Sequence, residues 1–319
     1  MRKIRLGRSD LDVSRIGYGC MLIGGTWDNE PINTTVYQKG ETIIRTALDL
    51  GINFFDHADI YCYGKSEMVF SHMLKTSPHL RPNIMIQSKC GIVLGEIDRY
   101  DFSYEHIIAS AEGSLKRLGI DYLDVFLLHR PDPLVEPEEV AKAFRDLKEK
   151  GKVRWFGVSN HTPGQIELLQ KYLTDPIITN QIEFNPIHTD LIDQGVNFNH
   201  ESSLSDKNLD AIEYCRMKDI TLQAWSPLAQ GRLSGRVDLE SGAKIAACSI
   251  VVKEMAEEKG VKPEAIILAW ILRHPAKIQP IPGVTNTVRL VAACEADSIE
   301  LTRDEWYQIY IAGRGESIP

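Results

Sequence analysis

The feature that most constrains the fold is a repeated unit, in which an amphipathic helical stretch ends near a glycine and a β-rich run follows within a few residues. The unit occurs in "TALDLGINFFDHAD", "SLKRLGIDYLDVFLLHRPD" and "DLKEKGKVRWFGVSN". Gly51, Gly119 and Gly151 stand where a helix C-cap requires a positive φ, which glycine adopts without steric cost. Helices that alternate with strands predict a parallel sheet buried on both faces.

Eight short apolar runs are the predicted strands of this sheet, near residues 14–20, 53–58, 84–89, 124–129, 153–158, 178–184, 221–225 and 278–282. Between them lie helical segments, and "TPGQ" at 162–165 and "TRDE" at 302–305 have the form of a capping box. Eight strand–helix units in 319 residues predict one domain, residues 1–319, with the (β/α)₈ TIM barrel fold. A doubly wound sheet is the alternative, but the segment "GYGCMLIGGTW" after the first strand lacks the G-x-G-x-x-G spacing.

Two long stretches interrupt the repeat, namely residues 187–205 after the sixth strand and 228–247 after the seventh. Because they follow strands, we expect both loops at the C-terminal face of the barrel, where barrel enzymes carry their active sites. Substrate choice then depends on residues 187–205, on residues 92–102 and on the segment around Trp27.

Composition excludes several classes of protein. The net charge of −8 argues against a general nucleic-acid-binding surface. No apolar run approaches the roughly 20 residues that span a bilayer, and the N-terminus lacks the apolar stretch of a secretory signal, so we expect a cytoplasmic protein without a membrane partner. The six cysteines include no C-x-x-C pair, which predicts reduced thiols. The expected oligomeric state is a monomer, with a weak dimer as the alternative.

Polar side chains recur where the predicted strands end. They are Asp56, His57 and Asp59 after the second strand, Lys89 at the third, His129 and Arg130 at the fourth, Ser159 and Asn160 at the fifth, and Gln181, Glu183 and Asn185 at the sixth. A single one, such as His129, is more often structural. Five strands that end in this way predict a polar pocket inside an apolar ring, whose desolvation is costly and therefore indicates function.

The chemistry of this pocket is narrowed by missing motifs. Neither G-x-S-x-G nor H-E-x-x-H occurs, so a nucleophile-elbow hydrolase and a zincin are unsupported. A metal bound by His57, Asp59 and His129 would be opposed by the cation of Lys89. Lys89 could instead form a Schiff base, as in barrel aldolases, although a neighbouring Asp56 would hold it protonated.

Tyrosine, lysine, aspartate and histidine together suit a proton donor. A phenol has an ordinary pKa near 10, and an adjacent ammonium lowers that pKa by favouring the phenolate. Such a phenol can protonate a carbonyl oxygen while hydride reaches the carbonyl carbon. No side chain delivers hydride, so a nicotinamide cofactor is required. Two phenols, Tyr61 and Tyr63, are candidates for the donor.

Over nearly its whole length the chain resembles the aldo-keto reductase superfamily. "GINFFDHADIYCYGKSE" is similar to the family signature G-x-x-x-x-D-x-A-x-x-Y-G-x-S-E, with "CY" inserted after its tyrosine. "IQSKCG", "LDVFLLHRPD", "GKVRWFGVSNH" and "NQIEFNP" resemble the motifs of the next four strands. The resemblance implies a (β/α)₈ barrel that binds NADPH or NADH without a Rossmann fold.

The resemblance also implies roles for individual residues. Tyr61 would be the acid in carbonyl reduction, Lys89 would lower its pKa, Asp56 would pair with Lys89, and His129 would orient the carbonyl. Tyr63 then becomes a residue of the pocket wall and the competitor for the proton. The implied cofactor-binding residues are Ser159, Asn160 and Gln181 at the nicotinamide carboxamide, Trp225 on the nicotinamide ring, Ser226, Leu228 and Gly231 at the pyrophosphate, and Gly283, Thr285 and Arg289 near the adenosine 2′-phosphate.

The sequence departs from the family pattern at the adenosine end. Gly283 occupies a position often held by lysine, and Ala292 and Ala293 replace polar contacts to adenine. Arg289 remains, and a guanidinium can bind a phosphate through two hydrogen bonds, so we expect NADPH rather than NADH. The predicted function is NADPH-dependent reduction of aldehydes or ketones. A cofactor-binding regulatory or scaffold protein with little turnover is the second hypothesis.

Overall fold

The computed structural model describes residues 1–199, 210–235 and 242–319. Its strands are β1 (Lys3–Arg5), β2 (Asp12–Ser14), β3 (Tyr18–Gly19), β4 (Phe54–Asp56), β5 (Met85–Cys90), β6 (Ile92–Val93), β7 (Arg99–Tyr100), β8 (Leu123–Leu128), β9 (Val153–Ser159), β10 (Ile177–Glu183), β11 (Thr221–Trp225) and β12 (Gln279–Pro280). Its α-helices are α1 (Thr34–Asp49), α2 (Lys65–Thr76), α3 (Tyr104–Leu118), α4 (Pro137–Glu149), α5 (Pro163–Gln170), α6 (Asp190–Asn197), α7 (Ala211–Met217), α8 (Ala243–Glu258), α9 (Pro263–Leu272), α10 (Thr287–Cys294) and α11 (Arg303–Arg314).

Eight parallel strands form one sheet in the order β3, β4, β5, β8, β9, β10, β11 and β12. The sheet closes on itself because the backbone amides of Gly17 and Gly19 donate to the carbonyl oxygens of Pro280 and Pro282, each at 3.0 Å. Each strand coincides with one of the eight predicted runs. The predicted (β/α)₈ barrel is therefore confirmed.

The local signals that delimit the helices act as predicted. Thr162 and Thr302 form capping boxes with Gln165 and Glu305, at the starts of α5 and α11. Gly119 ends α3 with a φ of 67°, in the left-handed region that its position requires. These caps satisfy backbone groups that the ends of a helix leave without intrahelical partners.

Two hairpins were not predicted from the sequence. The strands β1 and β2 pair antiparallel, and the hairpin brings Leu6, Leu11 and Val13 into the barrel end that lies opposite the strand C-termini. The strands β6 and β7 form a second antiparallel pair just beyond β5. Both hairpins are too short to show a strand pattern in the sequence.

The half of the barrel interior that lies away from the strand C-termini is an apolar layer. It consists of Leu6, Leu11, Val13, Phe54, Val125, Leu127, Ile178 and Ile281, each at most 4% exposed. A separate and larger apolar cluster lies between the strands and the surrounding helices. This half of the barrel is therefore a filled core, and a cavity of about 580 Å³ opens at the C-terminal ends of the strands.

The two long stretches contain more helix than the sequence indicated. Helix α6 lies within residues 187–205, and α8 begins at Ala243, inside residues 228–247. Residues 200–209 and 236–241 of these stretches lie outside the described residues. No helix among the described residues has the length and hydrophobicity of a bilayer-crossing segment.

Candidate active site

A cavity of about 580 Å³ opens at the C-terminal ends of the barrel strands. Every predicted site residue except Lys89 lines it: Asp56, Tyr61, His129, Ser159, Asn160, Gln181, Trp225, Ser226, Leu228, Gly231, Gly283, Thr285 and Arg289. The strand ends and the loops that follow them therefore bring residues far apart in the chain to one pocket, as the strand-end pattern predicted.

Lys89 lies directly beneath the pocket and is completely buried. Its Nζ donates to Asp56 Oδ2 at 2.7 Å, to the backbone carbonyl oxygen of His57 at 2.9 Å and to the Tyr61 hydroxyl at 2.9 Å. Three acceptors match the three N–H bonds of an ammonium group. This arrangement argues against the Schiff-base alternative, which needs a neutral amine with access to substrate.

The charges of this cluster act on the Tyr61 phenol in opposite directions. Burial raises the pKa of Tyr61, and the positive charge of Lys89 lowers it only in part, so the pKa lies above its ordinary value. Burial lowers the pKa of Lys89, but the neighbouring Asp56 and Tyr61 outweigh burial and hold it above its ordinary value. At neutral pH the phenol therefore keeps its proton and the lysine its charge. The net decrease in the phenol pKa that the sequence predicts is therefore not found.

His129 forms the wall of the pocket beside Tyr61. The two rings meet edge to face, with centroids 5.9 Å apart. Burial holds the pKa of His129 well below its ordinary value, and the nearby positive charge of Lys89 lowers it further. A neutral imidazole can donate a hydrogen bond to a carbonyl oxygen without transferring charge to it.

The turn after β4 distinguishes the two tyrosines. Cys62 and Tyr63 both have positive φ, at 48° and 55°, and Gly64 follows at 82° as the N-cap of α2. This left-handed turn directs Tyr61 inward and Tyr63 outward. Tyr61 is 9% exposed, whereas Tyr63 is 49% exposed and packs against Trp27, with ring centroids 5.9 Å apart. The geometry favours Tyr61 as the proton donor.

Besides Lys89, four of the predicted strand-end residues do not line this pocket, namely His57, Asp59, Glu183 and Asn185. The His57 ring packs against Phe70 on the outer side of β4, and neither of its ring nitrogens has a partner among the described residues. Burial lowers the pKa of His57 to about 3. Asp59 lies behind the site, where burial and the nearby Glu67 raise its pKa to about 7.

A layer of glutamines supports Asp56 from below and was missed in the sequence. Gln87 and Gln181 donate to Asp56 Oδ1 at 2.6 and 3.1 Å, and both also donate to Gln223 Oε1. Gln223 in turn donates to Gln279, at 2.9 Å. These residues occupy inward-facing positions in register on neighbouring strands, and of the four glutamines the strand ends revealed only Gln181. Together with Asp56 and Lys89, the four glutamines form the polar layer of the barrel.

The predicted nicotinamide residues form a connected set. The Ser159 hydroxyl donates to the carbonyl oxygen of Gln181, and Asn160 Nδ2 donates to Ser159 Oγ, both at 2.8 Å. Trp225 Nε1 donates to Asn160 Oδ1 at 3.0 Å, which fixes the indole ring at the edge of the pocket. Gln181 Oε1 receives no hydrogen bond from the described residues, so it can accept one from a bound amide.

The predicted adenosine end lies at the start of α10. Asn286 caps this helix, and Thr285, Asn286 and Arg289 line the pocket. Arg289 Nε donates to Glu264 at 2.7 Å, and Nη2 donates to Ser234 at 2.9 Å, whereas Nη1 has no acceptor among the described residues. Gly283 lies against Gly19, where an added Cβ would come within 3.2 Å of the Gly19 carbonyl oxygen. Glu264 belongs to α9, and no local sequence pattern indicated this pairing.

Comparisons with known proteins agree with this geometry. The model of the Aldo/keto reductase family matches residues 15–313. The chain is similar to the uncharacterized oxidoreductase YcsN of Bacillus subtilis, with 38% identity and 100% of both chains covered. It is also similar to the 6-dehydroglucose reductase of Agrobacterium fabrum, with 35% identity over 98% of this chain and 99% of that protein.

A solved structure supports the fold independently. The glycerol dehydrogenase of Gluconobacter oxydans superposes with a TM-score of 0.82 over 99% of this chain and 97% of that one, at 22% identity. The family match covers nearly all of the barrel, and the relatives align over almost their full length. The chain therefore belongs to the aldo/keto reductase family and is an NAD(P)H-dependent oxidoreductase.

Proposed function

We propose that the protein reduces aldehydes or ketones to alcohols with NADPH, and that Tyr61 donates the proton. The observation that carries the proposal is the contact of Lys89 with both Asp56 and Tyr61 directly beneath the pocket. Tyr61 accepts a hydrogen bond from Lys89, so its own O–H remains available to a substrate oxygen. The family membership supports carbonyl reduction in general.

The residues of this chain bind, orient and protonate the carbonyl. Tyr61 donates its proton to the carbonyl oxygen, and the ammonium of Lys89 stabilises the phenolate that remains. Asp56 keeps that ammonium in place, and the neutral His129 donates a second hydrogen bond to the carbonyl oxygen. A reduced nicotinamide, when bound, supplies the hydride that the carbonyl carbon receives.

The pocket suits a nicotinamide cofactor. The free Oε1 of Gln181 and the fixed indole of Trp225 would hold the carboxamide and the ring. The backbone amides in the first turn of α10 and the free Nη1 of Arg289 would hold a phosphate. Because Glu264 already neutralises part of the Arg289 charge, we expect a modest preference for NADPH over NADH.

The test is the variant Tyr61→Phe, with Tyr63→Phe as its matched control. Loss of a general acid costs about 10²- to 10⁴-fold in rate, so Tyr61→Phe should lose turnover by this factor while its Kd for NADPH stays unchanged. Tyr63→Phe should keep its kcat within about twofold, because Tyr63 points away from Lys89. Initial rates of NADPH and NADH oxidation with a panel of aldehydes and ketones measure kcat, and fluorescence titration measures cofactor binding.

Either of two results would contradict the proposal. Near wild-type turnover by Tyr61→Phe would remove Tyr61 as the proton donor. Tight NADPH binding by the wild-type protein without oxidation across the whole panel would favour a cofactor-binding regulator.

A further inference from the structure

Arg130 is a cation of the pocket that the proposed reaction does not use. It follows His129 directly after β8 and lines the same cavity of about 580 Å³. The central carbon of its guanidinium lies 5.4 Å from the centre of the Trp225 ring. This position places a positive charge beside His129 and Trp225, at the end of the pocket where the carbonyl is expected.

The other cations of the site differ from Arg130 because each has a carboxylate partner. Lys89 pairs with Asp56 at 2.7 Å, and Arg289 pairs with Glu264 at 2.7 Å. Among the described residues, no carboxylate oxygen lies within 4.0 Å of the Arg130 guanidinium. Arg130 is therefore left without a carboxylate at ion-pair distance among the described residues, and Glu183 lines only the adjoining cavity.

The surroundings of Arg130 leave room for a ligand. A second cavity of about 260 Å³ adjoins the first, and Arg130, Asn160 and Trp225 line both cavities. Glu183 and His188 line the second cavity, with the Glu183 carboxylate 4.0 Å from the His188 ring. The guanidinium thus lies at the junction of two open spaces.

Apolar side chains also line this pocket, among them Met21, Leu22, Trp27 and Ile92. A planar guanidinium binds a carboxylate or a phosphate through two parallel hydrogen bonds, which a neutral group cannot match. A few placed polar groups beside apolar walls fix the orientation of a ligand and set its specificity.

We propose that the preferred substrates are carbonyl compounds that also carry a carboxylate or phosphate, and that Arg130 binds this anionic group. The inference rests on the proposed reductase function and adds a substrate class to it. Arg130 is then a specificity-determining residue, distinct from the residues that transfer the proton.

The test compares matched anionic and neutral substrates in the wild-type protein and in Arg130→Met. The pairs are succinic semialdehyde with butanal, and glyceraldehyde 3-phosphate with glyceraldehyde. Wild type should prefer the anionic member of at least one pair, and the two pairs show whether the anion is a carboxylate or a phosphate. Arg130→Met should lose about 10- to 100-fold in kcat/KM for that anionic substrate and less than about threefold for its neutral partner.

Two further variants control for charge. Arg8→Met removes one positive charge from an exposed position between β1 and β2, at the end of the barrel opposite the pocket, where Arg8 pairs with Asp219 at 3.5 Å. It should leave the preference for the anionic substrate unchanged. Arg130→Lys keeps the charge but not the planar fork and should restore part of the preference.

Three results would overturn the inference. An equal loss for the neutral partner would mean that Arg130 recognises hydroxyl groups or shapes the pocket. A parallel rise in the Kd for NADPH would assign Arg130 to the cofactor. Wild-type turnover of neutral carbonyls without any preference for the anionic members would leave the reductase intact and remove the anion site.

Failure of the reductase proposal is distinguishable from these results. Titration of succinate and of inorganic phosphate into the NADPH-saturated protein measures anion binding without turnover. If no carbonyl were reduced, binding of either anion by the wild-type protein but not by Arg130→Met would preserve the anion site, and absence of binding would remove it.

Discussion

Two layers of side chains fill the barrel, and they differ in how narrowly they restrict the residues that can occupy them. The apolar layer, which includes Phe54, Val125 and Leu127, is held by contacts that have no fixed direction. The polar layer is held by hydrogen bonds between Asp56, Lys89 and the four glutamines, each of which requires a particular atom in a particular place. The two layers are buried to a similar extent, but the polar layer restricts residue identity at each position more narrowly than the apolar layer does.

The difference follows from the energetics of burial. An apolar side chain can be exchanged for another of similar volume at a cost usually below about 1.5 kcal/mol. A buried polar group that loses its partner keeps its full desolvation cost, and an unpaired charge costs more. The apolar layer therefore sets stability, whereas the polar layer also sets the position of the Lys89 ammonium beneath the pocket.

The largest expected effect is that of Lys89→Met in the polar layer. The substitution leaves the buried Asp56 carboxylate without its cation, so the free energy of unfolding should fall by about 3–5 kcal/mol. Turnover should be lost, while the similar-volume change Leu127→Met in the apolar layer should cost less than about 1.5 kcal/mol and keep kcat. Urea unfolding and steady-state rates measure both. Equal destabilisation by the two variants would contradict the distinction between the layers.

A smaller loss of unfolding free energy is expected for Gln223→Leu, because this substitution leaves no buried charge without its partner. Gln87 and Gln181 each lose one acceptor, and Gln279 loses a donor, at a combined cost of about 1–3 kcal/mol in unfolding free energy. Gln223 acts through Asp56 as a positioning residue, so we expect kcat to fall by about tenfold with little change in KM.

The matched control for Gln223→Leu is Leu127→Val. It should cost about 0.5–1.5 kcal/mol and leave kcat unchanged. A fall in kcat that merely followed stability in both variants would assign Gln223 a purely structural role. Chemical denaturation and initial rates at saturating substrate separate the two cases.

The effect that is smallest at neutral pH concerns His57, a buried residue whose ring nitrogens have no hydrogen-bond partner among the described residues. Its pKa in the folded protein is about 3, against an ordinary value of 6.5, so below pH 6.5 the unfolded chain takes up a proton that the folded chain does not. Unfolding free energy should therefore decrease as pH falls from 6.5 towards 3, by at most about 1.4 kcal/mol per pH unit from this residue.

The variant His57→Leu should lack this contribution. Urea unfolding at pH 7, 5.5 and 4.5 gives the slope of unfolding free energy against pH for each protein. The carboxylates contribute equally to both slopes, so their difference measures the contribution of His57. Equal dependence of unfolding free energy on pH in the two proteins would show that His57 gains a partner or becomes hydrated on protonation.

The strands could be predicted from the sequence because each is a short and mostly buried run, and a helix that ends near a glycine precedes β4, β8 and β9. The positions of Asp56, Lys89 and His129 followed from their places at strand ends. The glutamine network was missed because it depends on which residues of neighbouring strands lie in register inside the barrel. The pairing of Arg289 with Glu264 was missed for a related reason, since it joins two helices whose contact no local pattern encodes.

The hairpin of β6 and β7 has a practical consequence for engineering. Ile92 in this hairpin borders the pocket, whereas Asp56, Tyr61 and Lys89 belong to other segments. Both hairpin ends are anchored: the Gly91 carbonyl oxygen accepts from the Asp101 amide at 3.0 Å, and the Phe102 amide donates to Asp132 at 2.9 Å. Residues 92–101 therefore form an exchangeable cassette, suited to loop libraries that diversify the pocket rim while the proton-transfer apparatus stays intact.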